Sequence, residues 1–226
     1  MAHLTIRQIK QLIEIDEAGP GIRAEVQALI TRLTSGGVGV KTDDPRQAQA
    51  KRLWDKGFGR EQGFDMFDAY LATIPVVPEA FKADERFPEL VLVDARLPIT
   101  KACELLGVDF SGDNQTYVDF DPKQAKSNKV YWILCQDGRK NYGKSVKSCR
   151  QSFAADEVGL SAYQGLAIFA QNPEGLKGRA MDLPGSVRRD GRDDAAFLVC
   201  FFDRPRLSWC FDDDEDPVYG TGSRRE

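Results

Sequence analysis

The sequence contains a single histidine, His3, among its 226 residues. A Ser-His-Asp triad, a Cys-His pair and a histidine-based zinc site each require an imidazole, so the sequence argues against all three. Acid–base chemistry by carboxylates, nucleophilic lysines and phosphate chemistry need no imidazole and stay open. The sequence therefore names no catalytic residue and no metal ligand.

Cysteine pairs and long apolar runs are also missing. The five cysteines are an odd number without a C-x-x-C pair, which indicates reduced thiols and not a disulfide framework. The longest apolar run, residues 195–202, is far shorter than the roughly 20 residues that a membrane-spanning helix needs. Residues 1–17 lack the apolar core of a secretory signal. We expect a cytoplasmic protein without a membrane segment. The cysteines are Cys103, Cys135, Cys149, Cys200 and Cys210.

The charges nearly balance, with 31 lysines and arginines against 35 aspartates and glutamates, a net charge of −4. A general phosphate-binding surface needs an excess of positive charge, so nucleic acid is not the expected partner. Hydrophobic residues make up 42% of the chain and charged residues 29%, which is typical of a folded globular protein.

Two amphipathic helices are predicted at the start of the chain. Thr5 and Gln8 form a capping box, and the apolar stripe that begins at Ile6 ends at Leu33. Two such short helices cannot form a core alone, so they must pack on the body, on a second copy or on a partner. We predict a helical hairpin extension over residues 1–40 and an α+β domain over residues 45–226. Its partners are expected to be proteins, including a second copy bound through this stripe.

The remaining sequence mixes helices with strands. Asp44-Pro45 is an N-cap followed by a first-turn proline, and residues 90–93 are an apolar run typical of a strand buried on both faces. The fold class is α+β: the helical hairpin, then a mixed, mainly antiparallel sheet covered by helices, closing with a C-terminal β-hairpin. Further predictions are helices at 64–71, 98–106 and 160–170, strands at 116–120 and 130–134, an exposed mobile loop at 185–194, and a hairpin of 195–202 and 207–211 around the turn 203–206.

Residues 138–145 match the phosphate-binding pattern G-x-x-x-x-G-K-[ST] and follow a predicted strand. In such a loop, backbone N–H groups surround the phosphates, Lys144 reaches the terminal phosphate, and the serine shares a magnesium ion with a carboxylate, here Asp203. The site residues of this alternative are Gly138, Gly143, Lys144, Ser145 and Asp203.

The context of this loop argues against nucleotide binding. A P-loop opens a helix inside a parallel sheet, whereas residues 145–149 are a poor helix start and Asp203 begins a predicted hairpin turn. A nucleotide-binding protein or NTPase is thus an alternative function. A Mg-nucleotide is a cofactor only in that alternative, and none is predicted otherwise.

The segment 139–150 is rich in basic residues around Tyr142, a combination that can hold a single nucleic-acid strand by phosphate contact and stacking. We favour a solvated face, because the chain is acidic overall and has no recognised RNA-binding motif. Single-stranded nucleic-acid binding is a second alternative. The basic residues are Arg139, Lys140, Lys144, Lys147 and Arg150.

The acidic run at residues 212–216 lacks the spaced ligands and the central glycine of a calcium loop, so we expect a solvated turn that stops strand pairing. Trp132 and Trp209 lie in predicted strands and are expected to be core aromatics.

Distinct sequence segments occur at 50–54, 57–58, the strand at Val91, 137–139, 161–167, 204–210 and 222–223. Through these segments, from about residue 49 to residue 223, the chain resembles a bacterial domain family of unknown function, known mainly from actinobacterial chains. The resemblance departs from the family at the helical extension and the acidic run, and it implies no activity, cofactor or site residue. With the catalytic parts missing, we predict a non-catalytic binding or protein-interaction module.

Overall fold

A computed structural model of the chain describes residues 44–120, 129–191 and 193–226. The predicted helical extension at residues 1–40, and the self-association assigned to it, lie outside these residues. Within the described part, the α+β class with mainly antiparallel sheets is confirmed. The strands are divided among three sheets, and two short strands follow the closing hairpin.

The described chain begins with helices α1 (Pro45–Asp55), α2 (Phe58–Glu61) and α3 (Phe67–Ala72). The Asp44 carboxylate caps α1 by accepting from the Arg46 N–H at 2.9 Å, as the Asp-Pro pair predicts. Trp54 near the end of α1 packs on Tyr70 of α3 with ring centroids 6.0 Å apart. These helices therefore bury their aromatic faces against each other.

The first sheet has the order β1 (Glu89–Asp94), β3 (Val130–Gln136), β10 (Ser223–Arg225) and β4 (Glu157–Gly159), and all its pairs are antiparallel. The outer edge of β1 is closed by the Gln49 side chain of α1. Its Nε2 donates to the Leu90 carbonyl at 2.7 Å, and its Oε1 accepts from the Leu92 N–H at 2.8 Å. An amide side chain thus takes the place of a neighbouring strand at this edge.

The second sheet has the order β8 (Arg204–Phe211), β7 (Asp194–Phe201), β5 (Ala180–Leu183) and β9 (Tyr219–Thr221), with β5 and β9 parallel. A separate two-stranded sheet pairs β2 (Tyr117–Asp119) with β6 (Ser186–Arg188). A buried ion pair joins the two larger sheets, because Arg179 before β5 donates to both the carboxylate and the carbonyl of Asp137 after β3.

Helix α6 (Ala162–Gln171) contacts strands of both larger sheets and is buried over eight of its ten residues. The helix confirms the one predicted over residues 160–170, and it begins with a capping box in which Ser161 and Gln164 are bonded reciprocally. Gly165 allows the helix to approach β5, since a Cβ there would lie 2.5 Å from the Leu183 side chain. Helix α4 (Ile99–Leu106) also packs on α6 and ends at Gly107 in the left-handed conformation. No helix in the described residues is long and apolar enough to span a bilayer.

The structure corrects three local predictions. Residues 185–188 and Asp194 are not part of an exposed loop, because β6 pairs with β2 and Asp194 forms an ion pair with Arg188 at 2.9 Å, whereas residues 189, 190 and 193 are exposed, as predicted. The segment after Gly143 does start a helix, α5 (Val146–Ser152), with Ser145 as its N-cap. The hairpin turn is Phe202-Asp203, both at positive φ, so Pro205 belongs to β8 and not to the turn.

Candidate binding surface

Most backbone N–H groups of the loop that matches the phosphate-binding pattern are already hydrogen-bonded. Gly138 donates to Gln136 Oε1 at 2.7 Å, and Gly143 donates to the Tyr219 carbonyl at 3.1 Å. The N–H of Lys144 donates to the Asn141 carbonyl at 3.3 Å. A phosphate would have to displace these bonds, so the loop is not an open anion cradle.

The first glycine of the pattern serves the contact between the loop and β9. Gly138 has φ +93°, and a Cβ on it would lie 2.1 Å from the Gly220 carbonyl oxygen. Two backbones therefore approach each other where the pattern would place a phosphate. The glycine is explained by packing alone.

The remaining members of the candidate nucleotide site are not brought together. Ser145 Oγ accepts from the Ser148 N–H at 3.3 Å, and the Lys144 ammonium bonds to Asn141 Oδ1 at 3.3 Å. The start of α5 lies at the open end of the β7–β8 hairpin, where the Lys147 N–H donates to the Asp212 carbonyl at 2.7 Å. Asp203 is at the opposite, closed end.

Eight-residue strands separate the two ends of this hairpin by roughly 26 Å at the usual rise per residue. Asp203 instead forms an ion pair with Lys177 at 3.3 Å and is exposed. Asp203 and Ser145 therefore cannot share one magnesium ion. The reason is topological, since β7 and β8 form a hairpin and not the parallel strands that the pattern requires.

The basic segment 139–150 is partly neutralised. Arg139 pairs with Asp137 at 2.9 Å and with Glu89 at 3.2 Å. Arg150 pairs with Asp212 at 2.9 Å. Burial lowers the pKa of Arg150, opposed by the Asp212 charge. Two of the five cations thus hold the fold together, and Lys140, Lys144 and Lys147 stay at the surface.

The thiols offer no reactive group. All five cysteines are unpaired, and burial raises the pKa of Cys103 to about 12. Burial also raises the pKa of Cys135 and of Cys210. Thiols with raised pKa are poor nucleophiles at neutral pH. In the described residues, no cluster of three or more histidine, cysteine or acidic side chains is arranged to hold a metal ion.

Exposed aromatic side chains concentrate on the β7–β8 hairpin. Nine large hydrophobic residues of the described part are exposed, and four of them belong to this hairpin. Trp209 is 37% exposed and Phe211 57%, and their rings meet edge to face at 5.8 Å. The prediction that Trp209 is a core residue is therefore wrong, whereas Trp132 is 4% exposed, as predicted. The other two aromatics are Phe201 and Phe202.

β8 is an edge strand, and only its first half is covered. The Asp109 N–H donates to the Pro205 carbonyl at 2.9 Å, and the Leu207 N–H donates to the Asp109 carbonyl at 2.9 Å. Odd-numbered residues of β8 thus direct their backbone groups away from β7, and Trp209 and Phe211 follow the same alternation. Among the described residues, no acceptor forms a hydrogen bond with the backbone N–H of Trp209 or of Phe211. We call the stretch from Trp209 to Phe211 the open edge.

Arginine side chains order the aromatic rings near the open edge. The Arg188 guanidinium carbon lies 3.8 Å from the centre of the Trp209 ring. Arg188 is fixed in turn by Asp194, which accepts from its Nε at 2.9 Å and from its N–H at 2.8 Å. The indole is therefore held in place, which lowers the entropy lost when a partner binds.

A groove of about 560 Å³ begins beside Trp209. One wall is the residues before β2, and the other is the end of β6 with the middle of β8. Its aromatic and arginine side chains are those most enriched at the centre of protein interfaces. They are Phe110, Tyr117, Arg188, Arg189, Arg206 and Trp209.

The sequence did not reveal this surface because its parts are distant in the chain. Trp209 and Leu207 are two residues apart in β8, so their side chains lie on the same face of the strand. Leu207 is 1% exposed and Trp209 is 37% exposed, and this difference depends on the elements that pack against β8, which the strand pattern does not show. The pairing of β2 with β6 brings Arg188 to the tryptophan, and no local pattern predicts it. The Pro205 position was the available signal, since proline in a strand marks an edge.

Comparisons with models of protein families, with curated proteins and with solved structures found no match to this chain. The resemblance to the bacterial domain family therefore stays a prediction.

Proposed function

We propose that the chain is a cytoplasmic, non-catalytic protein-interaction module that binds an extended peptide segment of a partner along the open edge of β8. The observation that carries the proposal is the coincidence, at Trp209 and Phe211, of outward backbone donors with exposed aromatic side chains. Backbone donors supply the hydrogen bonds of an added strand, and the aromatic rings supply contact area for its side chains.

Protection of the edge of β1 supports this proposal. Exposed strand edges invite uncontrolled pairing, and the chain covers its other long edge, that of β1, with Gln49. On β8 itself, Pro205 and the contact with Asp109 protect the first half. The uncovered part of β8 is the part that carries two exposed aromatic residues. Exposed aromatic residues are typical of binding surfaces.

Nucleic-acid binding is less favoured by the geometry of the same residues. A base stacks on the face of an aromatic ring, but arginines occupy such faces at Trp209 and, 4.0 Å from the ring centre, at Phe120. Nucleotide binding is less favoured because most backbone N–H groups of the loop at 138–145 are already hydrogen-bonded. A side chain of a bound peptide could contact the edge of the Trp209 ring and enter the neighbouring groove, and it would not need the ring face that Arg188 covers.

The proposal is tested with a displayed library of random peptides selected on the wild-type chain. Peptides are then measured by fluorescence anisotropy against wild type, Trp209→Ala and the control Met66→Ala, which shortens an exposed apolar side chain elsewhere. We expect Trp209→Ala to weaken binding by about 2 kcal/mol, roughly 30-fold, as for a central interface aromatic. The control should bind as wild type does.

A second variant separates strand addition from simple apolar contact. Phe211→Pro removes the outward N–H and Phe211→Ala keeps it, while Pro205 shows that β8 accepts proline at an outward position. We expect the proline variant to bind at least tenfold more weakly than the alanine variant, the loss of about one backbone hydrogen bond. Selected peptides that bind all variants equally would refute the proposal.

The alternatives are measured in the same preparation. The thermal midpoint is recorded for wild type and Lys144→Ala with and without Mg-ATP, and a labelled single-stranded oligonucleotide is titrated at low and high salt. A midpoint rise that the variant loses would favour nucleotide binding. Salt-dependent binding of the oligonucleotide would favour the segment 139–150.

A further inference from the structure

The path along the open edge is blocked at one end by the chain itself. Asp109 occupies the outward carbonyl of Pro205 and the outward N–H of Leu207, and it forms a parallel bridge with Arg206. A peptide strand that lies along Trp209 therefore cannot continue past Leu207, because its place beside β8 is already taken. The bound peptide must end at this point or leave the sheet.

The groove of about 560 Å³ lies where the edge is blocked. It is lined on one side by Leu207, Ser208 and Trp209 of β8 and on the other by residues 110–113 and 115–117. The Tyr117 hydroxyl donates to the Ser208 carbonyl at 2.5 Å and so ties the two walls together. The volume is in the range of sites that hold small ligands. The groove can therefore receive the end of a bound peptide.

The charged side chains of the groove favour an anion, because its acidic groups are already engaged. The Asp113 carboxylate accepts from the Gln115 N–H at 2.8 Å and from the Thr116 hydroxyl at 3.2 Å. Asp190 lies 3.5 Å from the Arg188 guanidinium. The charged residues that line the groove are the three arginines Arg188, Arg189 and Arg206 and the two aspartates Asp113 and Asp190.

Two of the arginines have donors to spare. Arg189 donates from Nε to the Gln115 carbonyl at 3.0 Å, and within the described residues no acceptor bonds to its Nη groups. Arg206 lies 3.8 Å from Asp109, and both side chains are more than half exposed, so this ion pair is weak. The planar fork of a guanidinium matches the two oxygens of a carboxylate, which makes arginine the preferred partner for that group.

The open edge by itself is a weak site for a peptide. It offers the N–H and the carbonyl of Trp209 and the N–H of Phe211, because the Phe211 carbonyl already accepts from the Asp214 N–H at 3.3 Å. Each backbone hydrogen bond adds little net affinity, and a peptide loses conformational freedom when it binds. A charged anchor beside the edge compensates for the small number of backbone bonds.

We propose that the peptide bound at the open edge is the C-terminal end of a partner protein, and that its terminal carboxylate bonds to Arg189 and Arg206 in the groove. The peptide runs antiparallel to β8, because Leu207 and the groove lie on the N-terminal side of Trp209 and Phe211 in that strand. An N-terminal ammonium group in the groove would be repelled by the same arginines. This inference rests on the proposed function of β8 and specifies its partner.

The test begins with two libraries of random peptides selected in parallel on the full wild-type chain. One library displays free C-termini, and the other is fused to its carrier through the C-terminus. Each selected sequence is synthesised as the free acid, as the C-terminal amide and with a C-terminal Gly-Ser extension, and its binding is measured by fluorescence anisotropy. We expect the free acid to bind about 10–100-fold more tightly than the other two forms, the contribution of a charged hydrogen bond.

Arginine variants locate the carboxylate. Arg189→Gln and Arg206→Gln should each weaken binding of the free acid by about tenfold and leave binding of the amide unchanged. The control Arg60→Gln removes an exposed arginine outside the groove, 5.0 Å from the centre of the Trp54 ring, and should bind as wild type does. The thermal midpoint of each variant confirms that it is folded.

The outcomes separate this inference from the proposed function. If Trp209→Ala weakens binding but the acid, the amide and the extended peptide bind equally well, strand addition stands and the C-terminal carboxylate is ruled out. The inference is also overturned if neither Arg189→Gln nor Arg206→Gln weakens binding of the free acid. If no peptide is selected, or if Trp209→Ala leaves all binding unchanged, the proposed function fails and this inference fails with it.

Discussion

Asp182 of β5 makes the stability of the protein depend on pH in a direction opposite to that of most carboxylates. It is 3% exposed, and burial raises its pKa from 3.8 to about 7. Its carboxylate accepts from the Cys210 thiol, whose Sγ lies 3.9 Å from Oδ1, and no cationic side chain forms an ion pair with it among the described residues. The carboxyl therefore keeps its proton in the folded state at a pH where the unfolded chain has lost it.

The sign and the size of the effect follow from the two pKa values. Between about pH 4 and pH 7 the folded state binds one proton more than the unfolded state at this position, so stability falls as pH rises. The two values differ by about 3, and at 1.36 kcal/mol per pKa unit the full loss is about 4 kcal/mol. Below pH 4 both states are protonated, and above pH 7 both are ionised, so the curve is flat there.

Replacement of Asp182 by asparagine removes the titration and keeps the shape of the side chain. We expect the free energy of unfolding of Asp182→Asn, relative to wild type, to rise by about 4 kcal/mol between about pH 4 and pH 7.5. Urea unfolding across this range measures it, with the exposed Asp65→Asn as the control. A difference between Asp182→Asn and wild type that is constant with pH would refute the assignment of a neutral, buried carboxyl.

Three further predictions concern the stability of the fold and are checked by urea unfolding. Gly138→Ala should destabilise the protein by more than 3 kcal/mol because its Cβ would meet the Gly220 carbonyl, whereas Gly143→Ala, also at positive φ but with open space around it, should cost only about 1–2 kcal/mol. Equal losses would show that backbone conformation and not close approach sets the cost. Asp137→Asn should cost about 3–5 kcal/mol because it leaves the buried Arg179 without its counter-charge, and a loss under 1 kcal/mol would contradict this. Phe202→Asn should stabilise the hairpin by a few tenths of a kcal/mol to 1 kcal/mol, since Phe202 has φ +53° and is 97% exposed; a destabilised variant would show that the ring makes a contact in solution.

Elements with local signals could be predicted from the sequence. Helix α6 begins at the capping box of Ser161 and Gln164, which needs only residues of the same turn. β1 follows from its apolar run, and its residues Val91, Leu92 and Val93 are all buried. The β7–β8 hairpin follows from two strand patterns close together in the chain.

Features that depend on distant residues could not be predicted. Residues 185–194 are rich in charge and resemble a solvated loop, but Arg188 and Asp194 neutralise each other and Val187 pairs with Val118, which is far away in sequence. Gly138 resembles part of a phosphate-binding loop because its true partner, Gly220, is equally distant. A single sequence carries no record of such contacts.

The candidate surface was missed for a related reason. Trp209 has the pattern of a core residue, and its exposure depends on which distant elements cover β8. The sequence predicts a binding function only from the absence of catalytic residues, and the surface that we propose for it is assembled by residues distant in the chain.

Hydrogen exchange of individual backbone amides tests the central claim most directly. The exchange rates of the Trp209 and Phe211 N–H groups are measured by NMR in the full chain, alone and saturated with a library-selected peptide. The account predicts fast exchange in the free protein, because both groups point outward from an open edge, and at least tenfold slower exchange in the complex, where a peptide carbonyl accepts from them. Saturated peptide that leaves both rates unchanged would contradict strand addition at β8.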